Sequence, residues 1–504
     1  MLITEDWFMK NRRRLFMAGY VILVFLGLFI FFIRIHPLII YDTDDWLYVA
    51  YARKAVPLWG DWNPSRIFPE IVMPFMASLG IYLIYPFTHD YVGSIAFMYG
   101  VILSVCITLY VYFVMKSLTV KIKLSLRWSA CVSVVFLLLN FLIFRSSDSD
   151  NVYMFHSFSC TNYFYYTIPT IFNIIIVLIL ILKPELVRVD RQKDVWNYSF
   201  ILLAIYLCIF SNLFCSYILA IWAGVRVLFE LFEQIKSPKR NMKISLKNMT
   251  GYLLILGFWF ISMIYELSGG RADSLQEGSY IHNLITTLKL FVSFLKEKCN
   301  GLFVVMLIVT VCMAIFFSIN RSTKEEFKKL YVEIFLNFIL AVLYVVLICA
   351  KTSPDYICRT DVLLGISFWL LYAMVFCFSY GIKKREKIAL IIPLMVCIMF
   401  FEINVSGRTY KDSNQGEIDW NTAYLIDNDI IAQIQDAVRS GETEMELYVP
   451  KSLTNEDNWP IALYGGNHFS QSLYKHGIIS RMINITLIPS EEFNQKYNID
   501  MSEQ

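Results

Sequence analysis

The chain reads as an all-α polytopic membrane protein of about eleven transmembrane helices, with helices on its outer interface and a small extracytoplasmic α/β domain at its C-terminus. Three observations predict this. Of 504 residues, 57% are hydrophobic, 16% aromatic and only 17% charged, well under the roughly 25% charge of soluble domains. Apolar runs near the roughly 20 residues that cross a bilayer recur along the chain. Lysine and arginine collect in alternate connections between those runs, as they do on cytoplasmic faces.

Eleven runs qualify as spans: Leu15–Ile33, Tyr91–Met115, Trp128–Phe144, Ile168–Leu182, Tyr198–Asn212, Phe214–Leu231, Thr250–Leu267, Leu302–Ile319, Ile334–Ala350, Leu363–Tyr380 and Ile388–Ile403. A twelfth stretch, Ile71–Phe87, carries Pro74, Gly80 and Pro86. Charge decides its place. If it does not cross, six basic segments share one side: the N-terminus with Lys10 and Arg12 to Arg14, then Lys116–Arg127, Lys183–Lys193, Lys236–Lys247, Arg321–Lys329 and Lys383–Lys387. Crossing would scatter them, so Ile71–Phe87 is expected to lie on or dip into the outer leaflet. The N-terminus is then cytoplasmic and the C-terminus outside. Arg34-Ile-His-Pro follows the first run in place of a small-residue cleavage pattern, so that run is expected to be a retained span.

The domain reading is a membrane domain over 1–404, with an outer loop at 34–90 carrying interfacial helices, and an extracytoplasmic domain over 405–504. In that tail Asp427 to Gly441 reads as a capped helix with Ile430, Ile431, Ile434 and Val438 on one face. Glu446 to Val449 reads as a strand, and a further helix is expected around His468–His476.

Several classes are excluded. A net charge of +3 and the lack of any nucleic-acid motif remove nucleic acid as a partner. No Walker loop, Rossmann fingerprint or HExxH motif is present, so a nucleotide donor held in a soluble domain is not expected. Eight of the eleven cysteines fall in apolar runs, where they act as small hydrophobes. Cys160, Cys299 and Cys358 lie in polar loops; their spacing defines no disulfide framework, and a Cys160–Cys358 bridge stays open. The spans are nearly free of charge, with Arg226, Glu230 and Glu266 toward their ends, where snorkelling accounts for them. That distribution suits an enzyme at the outer interface better than a pump.

Polar residues concentrate instead in outer clusters. Asp42, Asp44 and Asp45 open a segment of helical character running to Ala55; they can cap a helix or supply a general base. Arg66 follows in the same loop, suited to gripping phosphate or to anchoring at headgroups. Asn162, Tyr163 and Tyr165 open the fourth span, either as an interfacial aromatic belt or as a sugar-holding group. Arg359, after Ser353-Pro354-Asp355-Tyr356, sits at headgroup depth, and Ser211-Asn212 marks a tight outer hairpin.

Taken in order, Asp44-Asp45-Trp46-Leu-Tyr48, Arg66, Asn162-Tyr163, Ser211-Asn212 and Ser353-Pro354-Asp-Tyr356 with Arg359-Thr360 resemble bacterial GT-C-fold membrane glycosyltransferases, above all the Gtr-type serotype-converting glucosyltransferases and their relatives. The resemblance spans Arg34 to Ile403. It implies a GT-C-like membrane domain in the bacterial cytoplasmic membrane, a polyprenyl-phosphate sugar donor, and inverting hexosyl transfer to a glycan or lipid acceptor of the cell envelope on the outer side. Under it Asp44 or Asp45 takes the acceptor proton, and Arg359 with Arg66 binds the lipid phosphate. Asn162, Tyr163 and Tyr165 orient sugar, with Asp42 and Asn212 as further substrate contacts. Membrane lipids are partners throughout. A divalent metal on the acids is open, since three aspartates alone are no diagnostic ligand set. A lipid-linked oligosaccharide polymerase and a flippase are the competing readings.

Overall fold

The structure is a computed structural model that describes residues 2–56, 64–145, 152–187, 195–236, 242–267, 279–320, 324–405, 408–412, 414, 418–452 and 455–499. Parts of the basic connections (188–194, 237–241 and 321–323) and the first part of the outer segment that begins at Ser268 lie outside the described residues.

Among the described residues nine helices are long and apolar enough to cross a membrane, from Asn11–Ile35 to Thr360–Lys384. Eight of them coincide with runs read in the sequence. The shorter helices Leu126–Leu142, Tyr198–Ile209 and Ile392–Val405 account for the other three. Thr360–Lys384 is the centre of the bundle and is buried along almost its whole length. Close approach is built from small residues. A side chain at Gly365 would strike Tyr217 and Ile218 of the helix Leu213–Lys236, and one at Gly100 would strike the backbone of Phe32, the use small residues have between membrane helices.

The ninth long helix is Ile67–Thr88, one unbroken element around Pro74 where the sequence left a dipping segment. Its first turn meets the hairpin between two spans, Phe68 N–H donating to Phe210 O at 3.3 Å. Its end turns at His89 into the helix Tyr91–Ser117, next to Asp90, whose carboxylate accepts from Tyr424 Oη of the C-terminal region at 2.9 Å. Gly80 abuts the backbone of Ser94. Both ends therefore contact the face that carries the C-terminal region, here the tail face, and the helix leans across it with Phe75, Tyr82, Leu83 and Phe87 exposed.

A second such helix, Tyr280–Lys298, lies in the segment the sequence left as an outer loop. Ile281, Ile285, Leu288, Val292 and Leu295 are exposed along one stripe, at the three- and four-residue spacing of a helix face, while Asn283 and Thr287 are buried on the other. Its end is stitched to the span before the tail face by the Phe144–Cys299 bridge.

The tail forms a two-stranded parallel sheet, β1 (Glu444–Pro450) and β2 (Asn484–Ser490), in register from Glu444 opposite Asn484. Parallel strands need a crossover, supplied by the helix Gly466–Lys475. The first tail helix runs Trp420–Arg439, capped by Asp419 and stopped at Gly441 in the left-handed region (φ +88°). It starts earlier than the sequence suggested, which puts Asp427 inside the helix instead of at its cap. Ala423, Ile426, Ile430 and Ile434 face the core. β2 and the short helix Glu491–Tyr497 had not been anticipated.

The tail is docked on the membrane domain through Trp46, which is fully buried. Its ring stacks on Tyr91 (6.0 Å, 12°) and lies 4.7 Å from Phe469, and its indole N–H donates to Asp427 at 3.3 Å. Losing a buried Trp costs about 3–5 kcal/mol. Trp46→Ala is therefore expected to release the tail without disturbing insertion of the spans, measured as faster proteolysis of the tail in membranes; an unchanged cleavage rate would contradict this docking.

Candidate functional site

The acid segment is held from three directions. Asp42 caps the helix Thr43–Tyr48, accepting from Asp45 N–H at 2.8 Å. The helix stops at Tyr48, short of the Ala55 expected, because the chain beyond is drawn out and tied down: Arg53 N–H donates to Glu70 O, and Ala55 O accepts from Tyr206 Oη at 2.7 Å. Thr43 is clamped by the tail, its N–H and hydroxyl both donating to Pro460 O and its Oγ1 accepting from Ala462 N–H at 2.8 Å.

Asp45 is fully buried and faces inward. Its Oδ1 accepts from the N–H and hydroxyl of Thr161 at 2.6 and 2.7 Å, and its Oδ2 from Cys160 N–H at 3.3 Å and Tyr41 N–H at 3.2 Å. It thus sits on the N-terminus of the helix Cys160–Leu182, where free N–H groups and the helix dipole favour a carboxylate. Burial pushes its pKa up, to about 6, against the pull of those hydrogen bonds. Of the three acids only Asp44 is partly exposed.

One turn further along that helix, a π-type turn over Tyr163–Thr167 spreads consecutive tyrosines onto different neighbours. Tyr165 Oη donates to Glu70 at 2.8 Å, and Glu70 pairs with Arg53 through both carboxylate oxygens. Arg66 lies 5.9 Å over the Tyr165 ring and pairs with Glu266 at 3.4 Å. Arg359 lies 4.5 Å over Tyr166 and 5.1 Å over Tyr356, and forms a fork with Asp361 through Nε (3.1 Å) and Nη2 (2.8 Å). Its Nη1 bonds no described residue. The side chains of Arg53, Arg66, Glu266 and Arg359 keep between 14% and 22% of their exposure, so this aromatic-lined cluster of ion pairs is partly open. Thr161, which holds Asp45, and Tyr166, which lies under Arg359, are five residues apart, about 8 Å along the axis of one helix.

The expected site residues thus divide. Arg66 and Arg359 gather on the Tyr165–Tyr166 pair, whereas Asp44 lies on the acid helix facing Tyr464 of the tail, and Asn162 is half-buried. Asp42 and Asp45 are committed to backbone N–H groups. Asn212 caps the helix after its hairpin, Oδ1 accepting from Phe214 N–H at 2.9 Å. Tyr163 turns away, bonding His36 at 3.0 Å in a buried group with Tyr153 and His156; burial, His156 behind it, lowers the His36 pKa to about 3. Arg53, Glu70, Asp361 and Tyr166 were missed, although Asp361 two residues past Arg359 was a visible signal, and Glu266, read as a snorkelling charge at the end of its span, instead pairs with Arg66. All eleven cysteines are free; Cys160 Sγ faces Ile39 O and Cys358 Sγ faces Leu290 O. Among the described residues no three His, Cys, Asp or Glu side chains gather as a metal ligand set.

No family model matches this chain, and no curated protein or solved structure shows significant similarity to it. Sequence and fold together define a multi-pass helical membrane protein with a small α/β C-terminal region.

Asp42, Asp45 and Asp427 are all buried, and burial raises the pKa of each. The folded protein therefore holds protons that the unfolded chain releases near pH 4, and this contribution to stability is full below that pH and lost as pH rises through about 6 and beyond. Asp427→Asn keeps an acceptor for Trp46 and removes one such group. The melting temperature of the variant is expected to fall less between pH 4 and pH 8 than that of the parent; parallel curves would refute the assignment.

Proposed function

We propose that this chain is an inverting membrane glycosyltransferase that moves a sugar from a polyprenyl-phosphate donor to a cell-envelope glycan or lipid, with the tail face outside the bacterial cytoplasmic membrane. The observation that carries the reading is the pairing of Arg359 and Arg66 with Tyr166 and Tyr165, one helical turn from the acid segment, at the end of the spans where a lipid phosphate would lie. The concentration of basic residues in the connections on the opposite face supports the sidedness.

In the reaction the acceptor oxygen attacks the anomeric carbon as the bond from that carbon to the phosphate oxygen breaks, and the electron pair leaves with polyprenyl phosphate. Asp44, the least buried of the three acids, takes the hydroxyl proton. Arg359 is held by Asp361 on one edge and between two rings, which leaves its free edge to receive the phosphate as negative charge builds. Tyr166 and Tyr356 shield the guanidinium from water, which strengthens its attraction for the anion. Arg66 adds charge from the far side of the tyrosine pair, and the half-buried Asn162 is placed for a sugar hydroxyl. Asp42 and Asp45 hold the acid helix.

Asp44→Asn is expected to lower turnover by roughly 100- to 10,000-fold, the usual worth of a general base, with insertion and melting unchanged. The assay is transfer of labelled hexose from polyprenyl-phosphate hexose to envelope acceptor in native membranes; full activity would sink the assignment. Arg359→Lys keeps charge but loses the fork geometry, and is expected to raise the donor KM. Unaltered donor dependence would return Arg359 to a structural role.

A further inference from the structure

Between four of its helices the bundle leaves a deep apolar groove of about 690 Å³, walled by residues of Leu126–Leu142, Gly301–Ile319, Thr360–Lys384 and Ile392–Val405. Its floor is buried, at Val135, Phe317, Met374 and Met399, while its lips, at Val305, Val309, Phe316 and Ile398, are exposed, so it opens sideways from the bundle. Gly381 leaves part of the floor bare, since a Cβ there would stand 3.0 Å from Met313 Cε. Thr310, a polar residue of the wall, turns its hydroxyl onto Met306 O of its own helix at 2.9 Å. Water needs two to four polar partners to occupy such a space, and an empty groove would forfeit dispersion contacts along every wall. A hydrocarbon chain meets both conditions.

One end of the groove is charged. Lys384 ends the helix that begins beside Arg359 on the tail face, so Lys384 and Arg385, which both line the groove, lie on the opposite face. From Met374 to Lys384 is ten residues, about 15 Å of helix, half of a hydrocarbon core of about 30 Å. That is the depth of one leaflet. The wall on Gly301–Ile319 continues toward the tail face as far as Leu302. Among the described residues no acid lines the groove. Glu386, next in sequence to Arg385, accepts from the Trp128 indole N–H at 2.8 Å. Trp128 belongs to the helix that supplies Val135, and a Trp beside basic residues marks headgroup level. In this connection Lys383, Lys384, Arg385 and Lys387 stand against Glu386 alone.

We propose that the groove holds an anionic glycerophospholipid of the leaflet opposite the tail, with an acyl chain on the buried floor and its phosphate on Arg385 and Lys384. Basic pockets between spanning helices hold anionic lipid heads in this way. A zwitterionic lipid offers the same chains, but its own cation opposes the arginine. Each basic residue at the surface raises affinity for an anionic head by about fivefold. The proposal concerns lipid binding alone and stands apart from the transfer reaction on the tail face.

The test places the full-length protein in nanodiscs with equal amounts of phosphatidylglycerol and phosphatidylcholine, counts retained lipids by native mass spectrometry, and checks folding by melting temperature. The parent is expected to retain phosphatidylglycerol with a preference of at least about fivefold. Lys384→Gln with Arg385→Gln is expected to keep lipid but lose that preference. Val309→Trp, which sets bulk across an exposed lip, is expected to lower retention of both lipids. Equal retention by the parent, a preference that survives the double substitution, or retention untouched by Val309→Trp would overturn the proposal. Two further results would also overturn it: displacement of phosphatidylglycerol by an equal amount of long-chain polyprenyl phosphate gives the groove to that chain, and a lipid-free dimer mass gives it to a second copy of this protein.

Discussion

The candidate site depends on one buried carboxylate. Asp45 receives four hydrogen bonds, three of them from backbone N–H groups, and through them joins the loop after the first span to the start of the helix Cys160–Leu182. A charge taken out of water is tolerated only where donors replace hydration, and a helix N-terminus offers donors that no backbone carbonyl claims. The same bond network that satisfies Asp45 ties the acid helix to the helix that carries the tyrosine pair. Asp42 caps one helix and Asp45 the next, so the three acids in four residues divide into two that build and one that faces out.

The cations follow a similar logic. Arg53, Arg66 and Arg359 each have an acidic partner, Glu70, Glu266 and Asp361. None is a bare charge at headgroup depth. An arginine held by a fork on one side and by rings above and below gains little further freedom to lose when an anion arrives. Pairing also makes the cluster nearly neutral overall, so long-range attraction for anions is modest and any preference comes from geometry.

Much of the fold was legible because it rests on local pattern. Eleven apolar runs became helices, Asp42 took its cap, the Ser211-Asn212 hairpin turned where expected, and Gly441 stopped the tail helix. The helix Tyr280–Lys298 also carried a readable stripe at Ile281, Ile285, Leu288, Val292 and Leu295, but the segment was left as an outer loop. What local pattern cannot show is pairing across the chain. Glu266 lies 200 residues from Arg66 and Thr161 lies 116 from Asp45, and only the packed bundle brings them together. Asp427 was read as a cap because capping is the commonest local use of an aspartate before an apolar stripe; its bond to Trp46, 381 residues away, is invisible in the sequence.

The clamp on Thr43 has a consequence for biogenesis. Its partners Pro460 and Ala462 are more than 400 residues downstream, so the acid segment leaves the ribosome long before the groups that fix it exist. A chain stalled before the tail emerges is a threaded bundle whose acid loop is still unlocked. Emergence of the tail thus acts as a checkpoint, after which the acid loop is locked in place.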